Sequence, residues 1–391
     1  MYKLLVLSFL FLNAASAEEK VWITLDSDAL SSTMSLDKSF NSKVYSSAGI
    51  SLIQVNRSEV ENISHMMHDQ FKRCGGYMIH ESLEEGLELI DQAQGLKSFV
   101  GKSIFTDYQI NQKDLVNRVI EQVTEKSITE VILKLSSFKN RYYKSKHGVA
   151  SSTWIKDHWQ ELAKNRNDIS VDLYKHKKWA QPSVIMTIKG NSPEVIVIGG
   201  HADSISGFWN RNEAKAPGAD DNASGIATIT ETLRVLIQNN YRPEKTLKFM
   251  AYAAEEVGLL GSKEIATEFK NNNVDVVGVL QLDMTNYNGS DLNIVMMTDY
   301  TNSAQNEFLG TLIDEYVKLS WGYDKCGYGC SDHASWYAKG YPASIPFEAR
   351  KNNMNRNIHT AKDLLSVSGD HSNHAVKFAK LALAYVIELD Q

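Results

Sequence analysis

Beyond residue 12 the chain has no run long and apolar enough to cross a bilayer, which takes about 20 apolar residues. No block of like charges marks a tail or a membrane-surface patch. The formal charge is −6, so the basic face expected of a nucleic-acid binder is missing as well. Internal repeats and low-complexity tracts are absent. Cysteine is scarce: three residues, with neither a Cys-x-x-Cys spacing nor a second pair, which argues against a redox motif or thiolate metal ligands. What remains is an ordinary globular composition, 43% hydrophobic and 23% charged, over 391 residues. That length suggests one large domain and a smaller one.

The first residues read as a targeting segment. Lys3 precedes the apolar run at 4–12, and Ala15-Ser16-Ala17 supplies a small-residue cleavage pattern, so residues 1–17 are expected to be a signal peptide and the protein to be secreted. An oxidising compartment favours a disulfide between Cys326 and Cys330, whose Cys-Gly-Tyr-Gly-Cys spacing lets the backbone turn tightly. Cys74 is left over and is expected to be a buried thiol.

Residues 18–105 read as a small α/β unit. Strands are expected at 21–25, 50–55 and 77–79. A helix at 58–74 is expected to be capped by Ser58 with Glu61 and stopped by Gly75-Gly76. The unit's histidines, His65, His68 and His80, have no carboxylate constellation around them and read as surface residues. From about residue 106 the pattern changes to helices alternating with apolar strands. Helices are expected at 113–135, 152–162, 225–239, 260–270 and 372–388, with strands at 171–175, 183–188, 194–198, 246–252 and 276–282. Continuous Val/Ile/Leu runs separated by helices indicate an α/β fold with a largely parallel sheet. In such sheets the active site forms outside the carboxyl ends of the strands.

Five acidic or imidazole positions fall at ends of strand-like runs or in the loops beyond them: His201, Asp221, Glu256, Asp283 and His359. Singly, each has an ordinary structural role, such as capping a helix or closing a turn. Together, two histidines and three carboxylates can hold two divalent ions if one carboxylate bridges them. His201 with Asp283 would take one ion and His359 with Glu256 the other, with Asp221 in its Gly-bounded loop as the bridge and a shared water completing the pair. Asp203 is placed to accept the second ring N–H of His201. Glu255 points away from Glu256 on a regular strand, so it is left as the general base toward the metal-bridged water. Two ions about 3.5–4 Å apart activate water and polarise a carbonyl. Ser331-Asp332-His333 is not read as a triad, since no Gly-x-Ser-x-Gly elbow is present. Met284, Tyr328, Phe347 and Ile358 adjoin the site segments and suggest a pocket for one hydrophobic side chain, with core packing an equal reading for each.

As a group, His201-Ala-Asp203, Pro217-Gly-Ala-Asp-Asp-Asn-Ala-Ser-Gly225, Ala253-Ala-Glu255-Glu256-Val-Gly, Gln281-Leu-Asp283-Met and Ile358-His359-Thr resemble the secreted bacterial leucyl aminopeptidases with two co-catalytic zinc ions, relatives of the glutaminyl cyclases. The resemblance covers about residues 107–391. It implies a mixed, centrally parallel sheet sandwiched by helices, two Zn2+ per chain at the five positions, a cis peptide at Asp221-Asn222 and a disulfide loop beside the substrate pocket. It also implies release of N-terminal leucine and other hydrophobic residues from peptides with a free N-terminus, and an N-terminal propeptide at 18–105 removed by a processing protease, leaving a catalytic domain at 106–391. The rival expectations are a di-zinc carboxypeptidase, a glutaminyl cyclase-like enzyme, or a non-catalytic binding domain on the same fold. Zinc itself is not fixed by these ligands, which also suit cobalt or manganese.

Overall fold

The computed structural model describes residues 19–36, 43–93 and 105–390, apart from positions 48, 72, 74, 106, 107, 208 and 209. The apolar run at 4–12, the cleavage site after Ala17 and Cys74 lie outside the described residues. No helix among the described residues is long and apolar enough to cross a membrane.

The N-terminal unit is built on an antiparallel sheet of β1 (Lys20–Asp26), β2 (Tyr45–Ser47), β3 (Ile50–Asn56) and β4 (Tyr77–His80), in the order β2-β3-β1-β4. Period-2 alternation sends alternate side chains of β3 to opposite faces. Ile53 and Val55 pack under the segment at 60–71 with Ile63 and Met67. Ile50 and Leu52 pack instead with Val197, Tyr252 and Trp336 of the larger domain. The unit therefore shares a core with the rest of the chain.

The helix expected at 58–74 is shorter and irregular. A 3₁₀ turn at Arg57–Glu59 leads into an α-helix at Val60–Met66 and a π turn at Met67–Phe71. Ser58 lies inside the 3₁₀ turn, two residues ahead of the α-helix. The histidines also differ from expectation. His65 is half-buried, while His68 and His80 are buried. His80 sits on β4 with Nε2 2.9 Å from Thr24 Oγ1, and burial with the nearby Lys263 ammonium pushes its ring down to about 3. A polar residue on a two-sided strand has no solvent face to occupy.

The larger domain carries an eight-stranded sheet of β5 (Ile169–Tyr174), β6 (Ser183–Ile188), β7 (Ser192–His201), β8 (Lys245–Tyr252), β9 (Val276–Gln281), β10 (Ile294–Met297), β11 (Trp321–Asp324) and β12 (Ala343–Phe347). The order is β11-β10-β12-β9-β7-β8-β6-β5. Its centre, β12-β9-β7-β8, is parallel, and antiparallel pairings join β8 to β6, β6 to β5 and β12 to β10. Ile196 and Ile198 of β7 face the helices at Gly225–Gln238 and Asn373–Leu389, while Val195 and Val197 face the opposite layer with Ile265 and Trp336. Burial on both faces is why these strands read as unbroken apolar runs.

The helix expected at 113–135 is two, Lys113–Ile120 and Glu125–Ser136. The break is a tertiary effect: the buried Glu231 carboxylate accepts the Thr124 amide at 2.6 Å, and Arg234 donates to the Gln122 carbonyl at 2.6 Å.

Glu85, on the helix Leu83–Ala93, ties the two parts together electrostatically. It sits 3.1 Å from Lys263 Nζ and 2.8 Å from Lys339 Nζ. Burial alone would raise its carboxyl, but the two ammonium groups hold it at about 2. These pairs stabilise fully above the ordinary glutamate value and fade as pH falls toward about 2. Glu85→Gln is expected to cost about 1 kcal/mol at pH 7. The gap in thermal midpoint between variant and wild type should narrow steadily from pH 5 to pH 3; a gap independent of pH would contradict the assignment.

Candidate active site

Three central strands deliver side chains to one end of the sheet. β7 ends in His201, β8 runs through Ala253-Ala254 into Glu255 and Glu256, and β9 runs into Asp283. Asp221 precedes the helix at Gly225–Gln238, and His359 comes from the loop after β12. The helix start is pressed against the end of β9: a Cβ on Gly225 would lie 2.2 Å from the Leu282 carbonyl, so only glycine fits. Ala254, Met284 and His359 all adopt left-handed backbone, with φ of 60°, 52° and 58°. Such conformations are unfavourable for residues with a Cβ and gather at functional sites. The turn at Ala254 is what lets Glu255 and Glu256 diverge. The peptide between Asp221 and Asn222 is cis.

The five positions converge. His201 Nε2 lies 3.1 Å from Asp221 Oδ1 and 3.3 Å from Asp283 Oδ1. His359 Nε2 lies 3.0 Å from Asp221 Oδ2 and 3.2 Å from Glu256 Oε2. Asp221 thus turns one oxygen to each imidazole. Glu255 is buried beside them, and neither of its carboxylate oxygens has a hydrogen-bond partner among the described residues. Burial pushes its carboxyl well above the ordinary glutamate range; the His201 ring draws it down, and Glu256, Asp332 and Asp283 push it up again.

Asp203 lies beside the second ring nitrogen of His201 as expected and has a further part. The His201 Nδ1 contact is to the Asp203 main-chain carbonyl at 3.2 Å, with the carboxylate at 3.5 Å. Its carboxylate also accepts the amides of Glu255 and Glu256, at 3.1 and 3.2 Å. One aspartate therefore fixes the ends of both β7 and β8. A carboxylate has capacity for several donors, and two strand-end amides otherwise face a buried site.

Several supporting groups leave no mark in the amino-acid pattern. Arg141, 1% exposed, donates from Nε to the Ala202 carbonyl at 2.9 Å and from its terminal nitrogens to the carbonyls of Pro217 and Gly218. Burial lowers it to about 10, against the pull of Asp363 and Asp221. Asp363 accepts the Asp221 amide at 3.0 Å, and Asn222 Nδ2 donates to the Leu282 carbonyl at 3.0 Å. Asp332 accepts from Gln281 Nε2 at 3.0 Å, whereas His333 turns away to the Asp299 carbonyl at 3.1 Å, so Ser331-Asp332-His333 forms no relay. His68, of the N-terminal unit, lies against His359 with the two Nδ1 atoms 2.9 Å apart. Isolated arginines and histidines far away in sequence carry no local pattern that would find them.

Met284, Tyr328, Phe347 and Ile358 gather in one apolar cluster beside the site, with Met297, Ile345 and the Cys326–Cys330 disulfide. Arg73 of the N-terminal unit lies 5.0 Å over the Tyr328 ring, held by a bidentate contact to Asp28.

Asp203, Asp221, Glu255, Glu256, Asp283 and Asp332 are all at most 2% exposed. Carboxylates so buried and close require cations among them, and hard oxygen donors with imidazoles suit divalent ions. His201, Asp221 and Asp283 form one potential ligand group; His359 and Glu256 with His68 form a second.

A pattern of strand-end histidines and acids on this sheet is that of a metallopeptidase, and the comparisons agree. Residues 183–384 match Peptidase family M28, and the chain belongs to that family. Leucine aminopeptidase 1 of Paracoccidioides brasiliensis (strain Pb03) is 34% identical over 330 residues, 79% of this chain and 84% of that protein. Among solved structures, LapB from Legionella pneumophila has a TM-score of 0.78 at 30% identity, covering 95% of this chain and all of that one. The LapA aminopeptidase of the same species has a TM-score of 0.78 at 29% identity, covering 96% and 99%. The chain is a hydrolytic aminopeptidase.

Proposed function

We propose that this chain is a secreted di-zinc aminopeptidase that removes leucine and other hydrophobic residues from peptides with a free N-terminus. The observation that carries the reading is the orientation of Asp221, with one oxygen toward His201 and the other toward His359. His201, Asp283 and Asp221 would hold one ion, and His359, Glu256 and Asp221 the other. When bound, the pair would supply Lewis acidity toward the scissile carbonyl and lower the pKa of an attacking water. Glu255 takes the proton of that water and returns it to the leaving amine, a role that suits a buried carboxylate with unpartnered oxygens. The apolar cluster of Met284, Tyr328, Phe347 and Ile358 would receive the hydrophobic side chain.

The N-terminal unit fits a propeptide that is exported with the enzyme after loss of residues 1–17. It lies across the site, with His68 against His359 and Arg73 over Tyr328, and the core of the catalytic domain takes up again at the buried Phe105. A processing protease would free the site.

Glu255→Ala should lower turnover of leucyl-p-nitroanilide by about 10²–10⁴-fold while two zinc ions stay bound, and N-acetyl-leucyl or glutaminyl substrates should be left intact by the wild type. Retained activity would remove Glu255 from its role; cleavage of the blocked substrate or cyclisation of glutaminyl peptides would favour the rival enzymes. Sequencing the mature secreted protein should find a start near residue 105, and a start at Glu18 would refute processing.

A further inference from the structure

We propose that His68 positions His359 as a metal ligand, so that the N-terminal unit completes one of the two ion sites and leaves the other untouched. The inference rests on the two-ion reading above and adds a residue from outside the catalytic domain.

The argument is one of proton placement. His68 Nε2 lies 2.9 Å from the Glu256 main-chain carbonyl, which can only accept, so that nitrogen carries the hydrogen. In the neutral ring Nδ1 is then bare and accepts. Its partner at 2.9 Å is His359 Nδ1, which must therefore be the donor. The rings meet edge to face, with centroids 4.1 Å apart and planes at 77°. With a hydrogen on Nδ1, His359 keeps Nε2, 3.0 Å from Asp221 Oδ2 and 3.2 Å from Glu256 Oε2, as the nitrogen available to an ion. The chain Glu256 carbonyl, His68, His359 thus selects the tautomer that binds metal, the part that outer partners of ligating histidines commonly play.

The two sites differ in what holds their histidine. His201 Nδ1 is held by the Asp203 carbonyl, inside the catalytic domain. His359 Nδ1 is held from the N-terminal unit, whose seat is fixed nearby by Ser64 Oγ donating to the Glu256 carbonyl at 3.3 Å and Tyr77 Oη donating to the Val257 carbonyl at 3.1 Å. By linkage, the docked unit and the ion at His359 favour each other.

The test is zinc binding by the unprocessed chain in competition with a chromophoric chelator, for wild type, His68→Ala and His68→Asn. Wild type should hold two ions. His68→Ala should bind one of them about 10–100-fold more weakly and the other unchanged. His68→Asn, whose amide oxygen can still accept from His359, should fall between, which a purely structural role would not produce. Equal affinities for both ions in wild type and His68→Ala would overturn the proposal, as would equal weakening of both. Failure of wild type to bind any ion would instead overturn the two-ion reading and this inference with it.

Discussion

The arrangement around Asp221 depends on a charge problem. Six carboxyl groups are buried within one site, and Arg141, a permanent cation beside the Asp221 loop, spends its donors on main-chain carbonyls. Uncompensated buried charge is among the most costly features a fold can carry. On the proposed reading divalent cations would resolve it, seated among strand ends shaped by left-handed backbone at Ala254, Met284 and His359 and by glycine at position 225. Asp203 and Asp363 extend the same logic outward, each spending its carboxylate on amides that aim the proposed ligands.

The sheet explains why such a site sits where it does. Parallel central strands end together, so His201, Glu255, Glu256 and Asp283 reach one edge without any loop having to cross the molecule. The antiparallel pairings lie to either side of that centre, and β12, its outermost strand on one side, leads into the loop that brings His359 back. The N-terminal unit is not an appendage: β3 shares its apolar face with β7 and β8, Glu85 pairs with two lysines of the catalytic domain, and His68 reaches the site itself.

Much of this was legible in the amino acids. Strands β6 to β9 and the helices at Gly225–Gln238 and Asn373–Leu389 announce themselves because two-sided burial writes apolar runs into the strands and burial on nearly every side makes the helices apolar over most of their length. The convergence of His201, Asp221, Glu256, Asp283 and His359 was legible for a different reason: their positions relative to strand ends constrain where they land. Short elements were not legible. β11 is half-buried with no clean alternation, and β12 contains Pro346. The split at 121–124 and the buried state of His68 depend on partners more than a hundred residues away, Glu231 and His359, which leave no trace in a local window. Asp203 shows the intermediate case: its place beside His201 Nδ1 was legible, and its hold on the Glu255 and Glu256 amides was not.

The central claim is that a single aspartate is shared by a pair of ions. Anomalous scattering at the zinc edge from crystals grown with zinc tests it directly. The account predicts two peaks about 3.5–4 Å apart, one beside His201 and Asp283, one beside His359 and Glu256, with Asp221 between them. A lone peak, or two peaks that Asp221 does not join, would contradict it.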